Sequence, residues 1–179
     1  MARPASPLAS SGDDRGQAAR RLRLPLASTE AECEGALANR WVCVNPHRMF
    51  PGQKLKDGFN WCCHWAFQAS KRGPGRKILY VDEIWQWMDQ HNIPEHLENC
   101  ARTGRIHGLE LIATTHSPGD FHKDLRRLVT EWVVFNMVEP SDLDYIAPYF
   151  PGVYKAATLP RFHFIAYNRN SGVELAGQL

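Results

Sequence analysis

The stretch Ile78-Leu79-Tyr80-Val81-Asp82-Glu83 decides the fold. Four apolar residues, which predict a buried strand, run directly into two carboxylates. In open α/β sheets, ligands bind in the crevice outside the carboxyl ends of the strands. A first carboxylate at such an end can hold Mg²⁺ through the water shell of the ion, and a second can orient and deprotonate a water molecule. The stretch therefore predicts a strand that delivers paired acids to a ligand site.

A second apolar strand is predicted later in the chain, at residues 109–115. It ends in Thr114-Thr115, and His116 follows directly. If this strand lies next to the Asp-Glu strand, its polar end reaches the same edge of the sheet. A polar side chain there can sense a γ-phosphate or position the attacking water. Together the two strand ends favour the Walker B arrangement of phosphate-cleaving ATPases, with Thr115 and His116 as sensing residues.

The rest of the chain alternates between short β-rich runs and longer helical runs, which predicts an α/β fold with a parallel sheet and helices on its faces. Two further strands are predicted at residues 41–44 and 132–138, and helices at 57–70, 86–90, 95–102, 120–129 and 141–147. Residues 162–167 and 173–175 flank Asn170-Ser171-Gly172, a pattern typical of a β-hairpin.

These parts, in this order, resemble the FtsK/HerA superfamily of P-loop ATPases and the viral DNA-packaging ATPases of the same branch. In that family an apolar strand ends in Asp-Glu, and a later Gly-Arg leads to an apolar strand ending in Ala-Thr-Gln. Here the Gly-Arg is Gly104-Arg105, and His116 stands where the family has Gln. The resemblance covers roughly residues 40–138 and rests on the order and spacing of the parts.

The resemblance implies a RecA-like P-loop NTPase sheet that uses ATP and Mg²⁺. By position, Asp82 would bind Mg²⁺ through water and contact the nucleotide, and Glu83 would activate the attacking water. Thr115 would also contact the nucleotide, and with His116 it would sense the γ-phosphate.

The resemblance also implies a ring of identical subunits that moves DNA. Arg105 would then reach the nucleotide of the neighbouring subunit and stabilise charge on the leaving phosphates. Arg102, three residues earlier, is the fallback for this role. A solvated arginine on a loop remains the alternative for both.

The 179 residues contain no G-x-x-x-x-G-K-[ST] phosphate loop. The stretch Gly73-Pro74-Gly75-Arg76-Lys77 lacks the following Ser or Thr and precedes a strand, so we interpret it as a connector. The family places its phosphate loop before Trp41, where this chain has only the polar residues 1–38. The sheet should therefore be incomplete at the amino terminus. The strands at 109–113 and 132–135, which flank the phosphate-loop strand in the family, should either meet or leave a gap.

Two segments are predicted. Residues 1–28 are rich in Ala, Pro, Ser, Gly and Arg and predict a disordered or non-native tail, and residues 29–179 predict a partial NTPase-like domain. The tail carries five arginines against two aspartates, or +3, so the remainder of a chain with net charge +2 carries −1. The domain is therefore not a basic nucleic-acid wrapper, and any DNA binding must come from a local patch or an assembly.

Composition excludes several classes of protein. With 44% hydrophobic and 22% charged residues the chain is globular, and no apolar run approaches the roughly 20 residues of a membrane span. The chain has five cysteines, an odd number that cannot pair completely in disulfides within one chain, and Cys62 and Cys63 are adjacent. This usage is typical of reduced thiols and predicts a cytoplasmic protein.

The function that follows is an ATPase-domain protein of a DNA translocation or packaging motor, either a fragment or a subunit that takes its phosphate loop from elsewhere. A non-catalytic remnant or interaction subunit with the same fold is the alternative. An ABC-like ATPase fragment is another, because Thr-His-Ser-Pro also follows such a strand there. The spacing of zinc ligands is not found in Cys62-Cys63-His64, nor between His91 and His96. Two tryptophans, Trp85 and Trp87, could stack on nucleic-acid bases or belong to the core.

Overall fold

A computed structural model describes residues 26–37, 42–52, 55–89, 91–116 and 118–179. The chain divides into two compact units, residues 1–62 and 63–179, each of which is described by itself. Within the described ranges, no helix combines the length and the apolar character that crossing a bilayer requires.

Among its described residues, the first unit contains a small parallel sheet and two short helices, and a third, longer helix begins in it. β1 (Leu26–Ala27) pairs with β2 (Cys43–Val44), and the helices are α1 (Glu30–Leu37) and α2 (Pro46–Met49). Two reciprocal hydrogen bonds begin α1, because the Thr29 hydroxyl accepts from the Glu32 N–H at 3.2 Å and the Glu32 carboxylate accepts from the Ser28 N–H at 2.6 Å. This arrangement resembles a capping box. Residues 1–25 of the predicted tail lie outside the described residues.

The second unit takes its first sheet from two parallel strands. The long helix α3 (Leu55–Lys71), which crosses the boundary between the units, leads through a short loop into β3 (Lys77–Val81). After α4 (Glu95–Thr103) the chain forms β4 (Leu109–Ala113), which pairs parallel with β3 over all five residues of each strand. The predicted adjacent parallel strands are therefore confirmed, and the carboxyl ends of both strands lie at one edge.

The second sheet of this unit is antiparallel. The helix α5 (Lys123–Leu128) precedes β5 (Glu131–Phe135), and α6 (Pro140–Ile146) follows it. β5 pairs with β6 (His163–Asn168), which pairs in turn with β7 (Val173–Gln178). The β6–β7 hairpin confirms the predicted carboxyl-terminal hairpin.

One buried cluster holds this antiparallel sheet against the segment that follows α6. It contains seven apolar side chains: Val134, Leu143, Ile146, Phe150, Val153, Ala156 and Ile165. The ring of Phe150 stacks on that of Tyr167, with 5.0 Å between the centroids. Burial of these side chains fixes the position of β5 relative to the hairpin, since each of them except Ala156 contributes about 1.5–3 kcal/mol on leaving water.

The structure departs from the sequence-based expectation in the sheet that β5 joins. Among the described residues no pairing connects β4 to β5, so of the two expected arrangements the structure has the gap. β5 also ends at Phe135 rather than at residue 138, and it runs antiparallel to its partner. The described residues thus form a mixed α/β fold with small sheets, not a continuous parallel one.

The predicted helices differ at their ends. The helix expected at 86–90 is a 3-10 turn over Ile84–Gln86, and Gln90 lies outside the described residues. The helix expected at 120–129 is shorter, because a 3-10 turn at Pro118–Asp120 precedes α5. The segments expected at 57–70, 95–102 and 141–147 are helical, with ends shifted by one or two residues.

The five cysteines all lie in described parts of the chain and are free thiols. The buried Cys100 thiol donates to the Cys63 carbonyl at 3.4 Å, and burial raises the pKa of Cys100 to about 12. At neutral pH this group stays a neutral thiol in the core.

Gly108, at the turn into β4, is the position where the backbone requires glycine. Its φ is +71°, and a Cβ there would lie 2.9 Å from the Gly75 carbonyl oxygen.

We expect Gly108→Ala to lower the free energy of unfolding by about 1–2 kcal/mol from the left-handed conformation alone, measured by thermal denaturation. Gly73→Ala is the matched control. It meets open space, so it should stay within about 0.5 kcal/mol of wild type. Equal stability of both variants would contradict this account.

Candidate active site

Asp82 and Thr114 are the first residues after β3 and β4, and the strand register places them opposite each other. Val81 pairs with Ala113, so the next residue of each strand emerges at the same edge. The Thr114 hydroxyl donates to Asp82 Oδ1 at 2.7 Å. The Tyr80 hydroxyl also donates to Oδ1, at 3.4 Å. Because both hydrogen bonds end on Oδ1, they leave Oδ2 directed toward other partners.

Glu83 occupies a strained backbone conformation next to this pair. Its φ of +49° and ψ of 58° lie in the left-handed region, which costs a residue with a side chain about 1–3 kcal/mol. Thr114 stabilises the turn from two sides. Its hydroxyl accepts from the Glu83 N–H at 3.0 Å, and its carbonyl accepts from the Ile84 N–H at 2.9 Å. The turn therefore directs the Glu83 side chain toward the end of β4.

The Glu83 carboxylate is held through one of its two oxygens. The Trp85 indole N–H donates to Oε2 at 2.6 Å, and the His116 Nδ1 lies 2.9 Å from the same oxygen. The Trp85 and His116 rings contact each other edge to face, with 4.9 Å between centroids. The Glu83 side chain is 31% exposed. This arrangement fixes the carboxylate through Oε2 and does not engage Oε1.

The electrostatic surroundings of these carboxylates are negative. Partial burial raises the pKa of the Tyr80 phenol, and the negative charges of Asp82 and Glu83 act in the same direction. Tyr80 therefore stays protonated and serves as a donor to Asp82. Nearby, burial raises the pKa of Asp142, as do the negative charges of Glu139 and Asp120. A cation is the natural complement of such a site.

The structure brings together three of the five residues predicted for the site. Asp82, Glu83 and His116 share one hydrogen-bonded cluster, whereas the hydroxyl that connects Asp82 to Glu83 belongs to Thr114 and not to Thr115. Thr115 is half-buried and follows directly. Its predicted contact with a nucleotide stays a prediction.

Arg105 lies far from this cluster. It belongs to the 3-10 turn Gly104–His107 before β4, so the length of β4, roughly 13 Å at 3.3 Å per residue, separates the turn from Thr114. Its side chain is exposed, and within the described residues it has no ion pair. Arg102 differs, because it forms ion pairs with Glu98 at 2.6 Å and with Asp124 at 3.8 Å.

Sequence reasoning missed Thr114 and Trp85 as parts of the site. A signal for Thr114 was present, because the last apolar residues of β3 and β4 are Val81 and Ala113, and the first polar residue after each should face the other. Nothing in the spacing indicated that Trp85 would turn back to bond Glu83, since this depends on the left-handed turn at Glu83.

The donor set suits a hard divalent cation with few protein ligands. Carboxylate and hydroxyl oxygens are the ligands that Mg²⁺ prefers, and the ion usually keeps several waters and substrate oxygens. In the parts of the chain that the structure describes, no three His, Cys, Asp or Glu side chains converge to form a metal site. A magnesium ion here would therefore be held by Asp82 through its water shell, with phosphate oxygens as further ligands.

Comparison with known proteins identifies the class of fold. No family model and no curated protein matches this sequence. Solved structures of genome-packaging NTPases, however, have the same fold over most of the chain.

The matches include structures of the B204 protein. The genome-packaging NTPase B204 from Sulfolobus turreted icosahedral virus 2, in complex with ATP-gammaS, is 22% identical, with a TM-score of 0.65 over 77% of this chain. B204, the DNA-packaging ATPase from Sulfolobus turreted icosahedral virus, is 20% identical with a TM-score of 0.64. This chain spans 66% of the length of each. At the level of the fold, the predicted resemblance is confirmed.

The bridge made by Thr114 gives a prediction. Thr114→Val removes the donor to Asp82 and the acceptor of the Glu83 N–H, so we expect the free energy of unfolding to fall by about 1 kcal/mol, measured by urea denaturation. Thr114→Ser keeps the hydroxyl and should retain most of the stability. If the valine variant is as stable as the serine variant, the bridge does not hold the turn.

Proposed function

We propose that this chain carries the Walker B and sensor part of an ATP-hydrolysing domain in a DNA packaging or translocation motor. One observation carries the proposal. Asp82 and Glu83 lie at the carboxyl end of β3, joined through Thr114 to the end of β4, in a fold similar to that of genome-packaging NTPases. Paired carboxylates at that edge match the chemistry of phosphoryl transfer to water.

Asp82 is the proposed Mg²⁺-binding residue. Thr114 and Tyr80 hold Oδ1, so Oδ2 is the oxygen that would accept hydrogen bonds from the water shell of the ion. When bound, Mg²⁺ would neutralise charge on the β- and γ-phosphates. The negative charges around Asp82 favour binding of such a cation, and they disfavour binding of a nucleotide that carries no metal ion.

Glu83 is the proposed general base. Trp85 and His116 bond Oε2, so Oε1 is the oxygen that would take a proton from the attacking water. A carboxylate fixed in this way loses little freedom when the water arrives, which is how positioned bases gain rate. His116 also connects Glu83 to the segment after β4, so His116 and Thr115 are proposed to sense the γ-phosphate.

The 179 residues contain no phosphate-loop motif, so we propose that another polypeptide segment supplies the loop. The gap between β4 and β5 is the proposed place for its strand, which would complete a RecA-like sheet. Turnover by the 179-residue chain alone is therefore not expected, since the β- and γ-phosphates would lack backbone N–H groups and a lysine.

The second candidate is a non-catalytic subunit with the same fold. The same absence of a phosphate loop favours it. The two candidates differ in whether the Asp82 edge binds a metal-nucleotide complex, and this can be measured on the chain as it is.

Paramagnetic broadening tests the proposed metal site. Mn²⁺ with ATP, added to ¹⁵N-labelled protein, should broaden the amide signals around Asp82 and Thr114 first, because Oδ2 of Asp82 would hold the ion through its water shell. Asp82→Asn should remove this effect. Asp144→Asn is a matched control, since Asp144 is an exposed carboxylate that accepts from Tyr154 at 2.7 Å. Broadening that persists in Asp82→Asn, or that centres elsewhere, would favour the non-catalytic subunit.

Arg105 is the proposed trans-acting residue in a ring. Its exposed side chain and its position at the far end of β4 suit a target in a neighbouring subunit, whereas Arg102 is engaged within its own chain. In an assembly that includes the phosphate loop, Arg105→Ala should leave ATP affinity nearly unchanged and lower turnover by roughly 10³-fold or more.

Mixing subunits separates this role from a structural one. Rings that combine Arg105→Ala with Glu83→Gln subunits should regain part of the activity, because some interfaces then hold an intact base and an intact arginine. Arg102→Ala is the control and should affect turnover far less. Mixed rings that are no more active than either parent would contradict action in trans.

A further inference from the structure

A second group of side chains, outside the candidate active site, gathers around the ring of Tyr149. Arg126 comes from α5, Trp132 from β5, Tyr145 from α6 and Arg169 from the turn between β6 and β7. We call these five residues the Tyr149 cluster. Elements that are far apart in the sequence therefore contribute to one place, and this place shares no residue with the candidate active site.

Arg126 is a buried cation that lies against aromatic rings. The residue is only 9% exposed. Its guanidinium carbon lies 3.8 Å from the centre of the Tyr145 ring and 5.7 Å from that of the Tyr149 ring. Contact with the face of a ring stabilises the positive charge, but a ring does not provide the oxygen acceptors that the five N–H donors of a guanidinium require. The hydrogen bonds of Arg126 must therefore be made with other groups.

The Arg126 side chain has no hydrogen-bond acceptor in the part of the chain that the structure describes. Its Nε is buried and has no partner. Nη1 and Nη2 make no hydrogen bond or ion pair with the described residues either, and unlike Nε they reach solvent. Since nearly all buried polar groups in native proteins are hydrogen-bonded, we expect an acceptor from outside these residues. It can approach Arg126 at the edge that carries Nη1 and Nη2.

The acidic side chains on the neighbouring elements are engaged with other residues. Asp124, the acidic residue of α5, forms an ion pair with Arg127 at 3.6 Å. Glu131, the acidic residue of β5, accepts from the Asn168 amide at 2.8 Å. Neither of them forms an ion pair with Arg126. Within the described residues, no carboxylate of the chain itself therefore neutralises Arg126.

A second cation and a second unpaired donor lie beside the same Tyr149 ring. The Arg169 guanidinium carbon is 5.2 Å from the ring centre, and Arg169 Nη1 donates to two carbonyl groups at the end of α5, at 3.0 and 2.9 Å. These acceptors are neutral, so they do not compensate the charge. The Trp132 ring stacks on Tyr149 with 6.1 Å between centroids, and its buried Nε1 has no partner. Among the described residues, Arg126 Nε and Trp132 Nε1 are the two buried side-chain donors without an acceptor, and both belong to the Tyr149 cluster.

The chemistry of the cluster predicts an oxyanion as its ligand. The planar N–H fork of an arginine matches two oxygens of a carboxylate or of a phosphate. Two guanidinium groups beside one ring, neither of them paired with a carboxylate of the described residues, favour the ligand with the larger negative charge. Of the two oxyanions this is phosphate.

We propose that the Tyr149 cluster binds a phosphate group, which accepts hydrogen bonds from Nη1 and Nη2 of Arg126 while Arg169 adds a second positive charge. The phosphate is either a free ion or part of a nucleic-acid backbone, and the recognition chemistry is the same for both. This inference does not rest on the proposed function, because it uses no residue of the candidate active site.

NMR spectroscopy of the arginine Nε–Hε signals in the ¹⁵N-labelled full chain tests the inference. The Arg126 signal is identified by its loss in Arg126→Lys. Inorganic phosphate should shift this signal in the wild-type chain until it saturates, whereas sodium chloride at the same ionic strength should not. This titration needs no variant, so it decides the question even if a substitution prevents folding.

Variants then assign the contacts, with binding followed at the Tyr149 amide signal. Arg126→Gln should weaken phosphate binding by roughly tenfold or more, because the bidentate charged donor is lost. Arg169→Gln should weaken it less. Arg161→Gln is the matched control and should bind like wild type, because Arg161 also lies over an aromatic ring, that of Phe162 at 4.7 Å, but is exposed.

A DNA duplex distinguishes the two sources of the phosphate. A shift of the Arg126 signal by the duplex, reversed by inorganic phosphate, assigns the site to a nucleic-acid backbone, and a shift by inorganic phosphate alone assigns it to the free ion. Either result supports the site. The inference is wrong if phosphate leaves the Arg126 signal in place, if acetate shifts it as strongly, or if Arg161→Gln weakens binding as much as Arg126→Gln. Loss of the shift in Asp82→Asn would also overturn it, because the phosphate would then bind at the candidate active site.

Discussion

The hydroxyl group of Thr114 is the interaction on which the candidate site depends. It donates to Asp82 and accepts from the backbone of Glu83, so it joins the residues that follow two strands to a turn that is unfavourable by itself. Without this hydroxyl, the hydrogen bond from the Ile84 N–H to the Thr114 carbonyl would alone connect the turn to the end of β4. Trp85 and His116 then meet at one carboxylate oxygen because the turn has already aimed Glu83 toward them. The backbone conformation of the turn therefore sets the position of Glu83, and the side chains of Trp85 and His116 then hold its carboxylate.

The parallel pair could be predicted from the sequence because its signal is local. Each strand is an apolar run with a charged or polar residue at its end. The bounds of β3 and the pairing with β4 follow from this. Such runs predict burial on both faces, and this part of the prediction is wrong for the described residues, because Ile78, Tyr80 and Ile112 are exposed. The site was predicted less completely, because Thr114 and Thr115 both favour strands and the pattern alone does not show where β4 ends. The predicted strand ended at Thr115, two residues beyond the end of β4, so the bridge made by Thr114 was not recognised.

The direction of β5 could not be predicted, for a different reason. An apolar strand has the same pattern whether its partner runs parallel or antiparallel, and the partner of β5 is decided by the cluster around Phe150. The helix α1 was also missed, although Thr29 and Glu32 carry the spacing of a capping box. Its short sequence is rich in Glu and Ala and lacks an apolar face. The hydrophobic pattern therefore did not indicate a helix, although the capping residues at its start are present.

The five-residue register between β3 and β4 has a mechanical consequence. The two strands run in the same direction, with residues 72–76 preceding β3 and Thr114 following β4. A pull between these two points acts along the strand axes and across the pair, so the hydrogen bonds of the ladder share the load at the same time instead of breaking one after another. In this direction the pair resists separation more than it would resist a pull that peels one strand from the other.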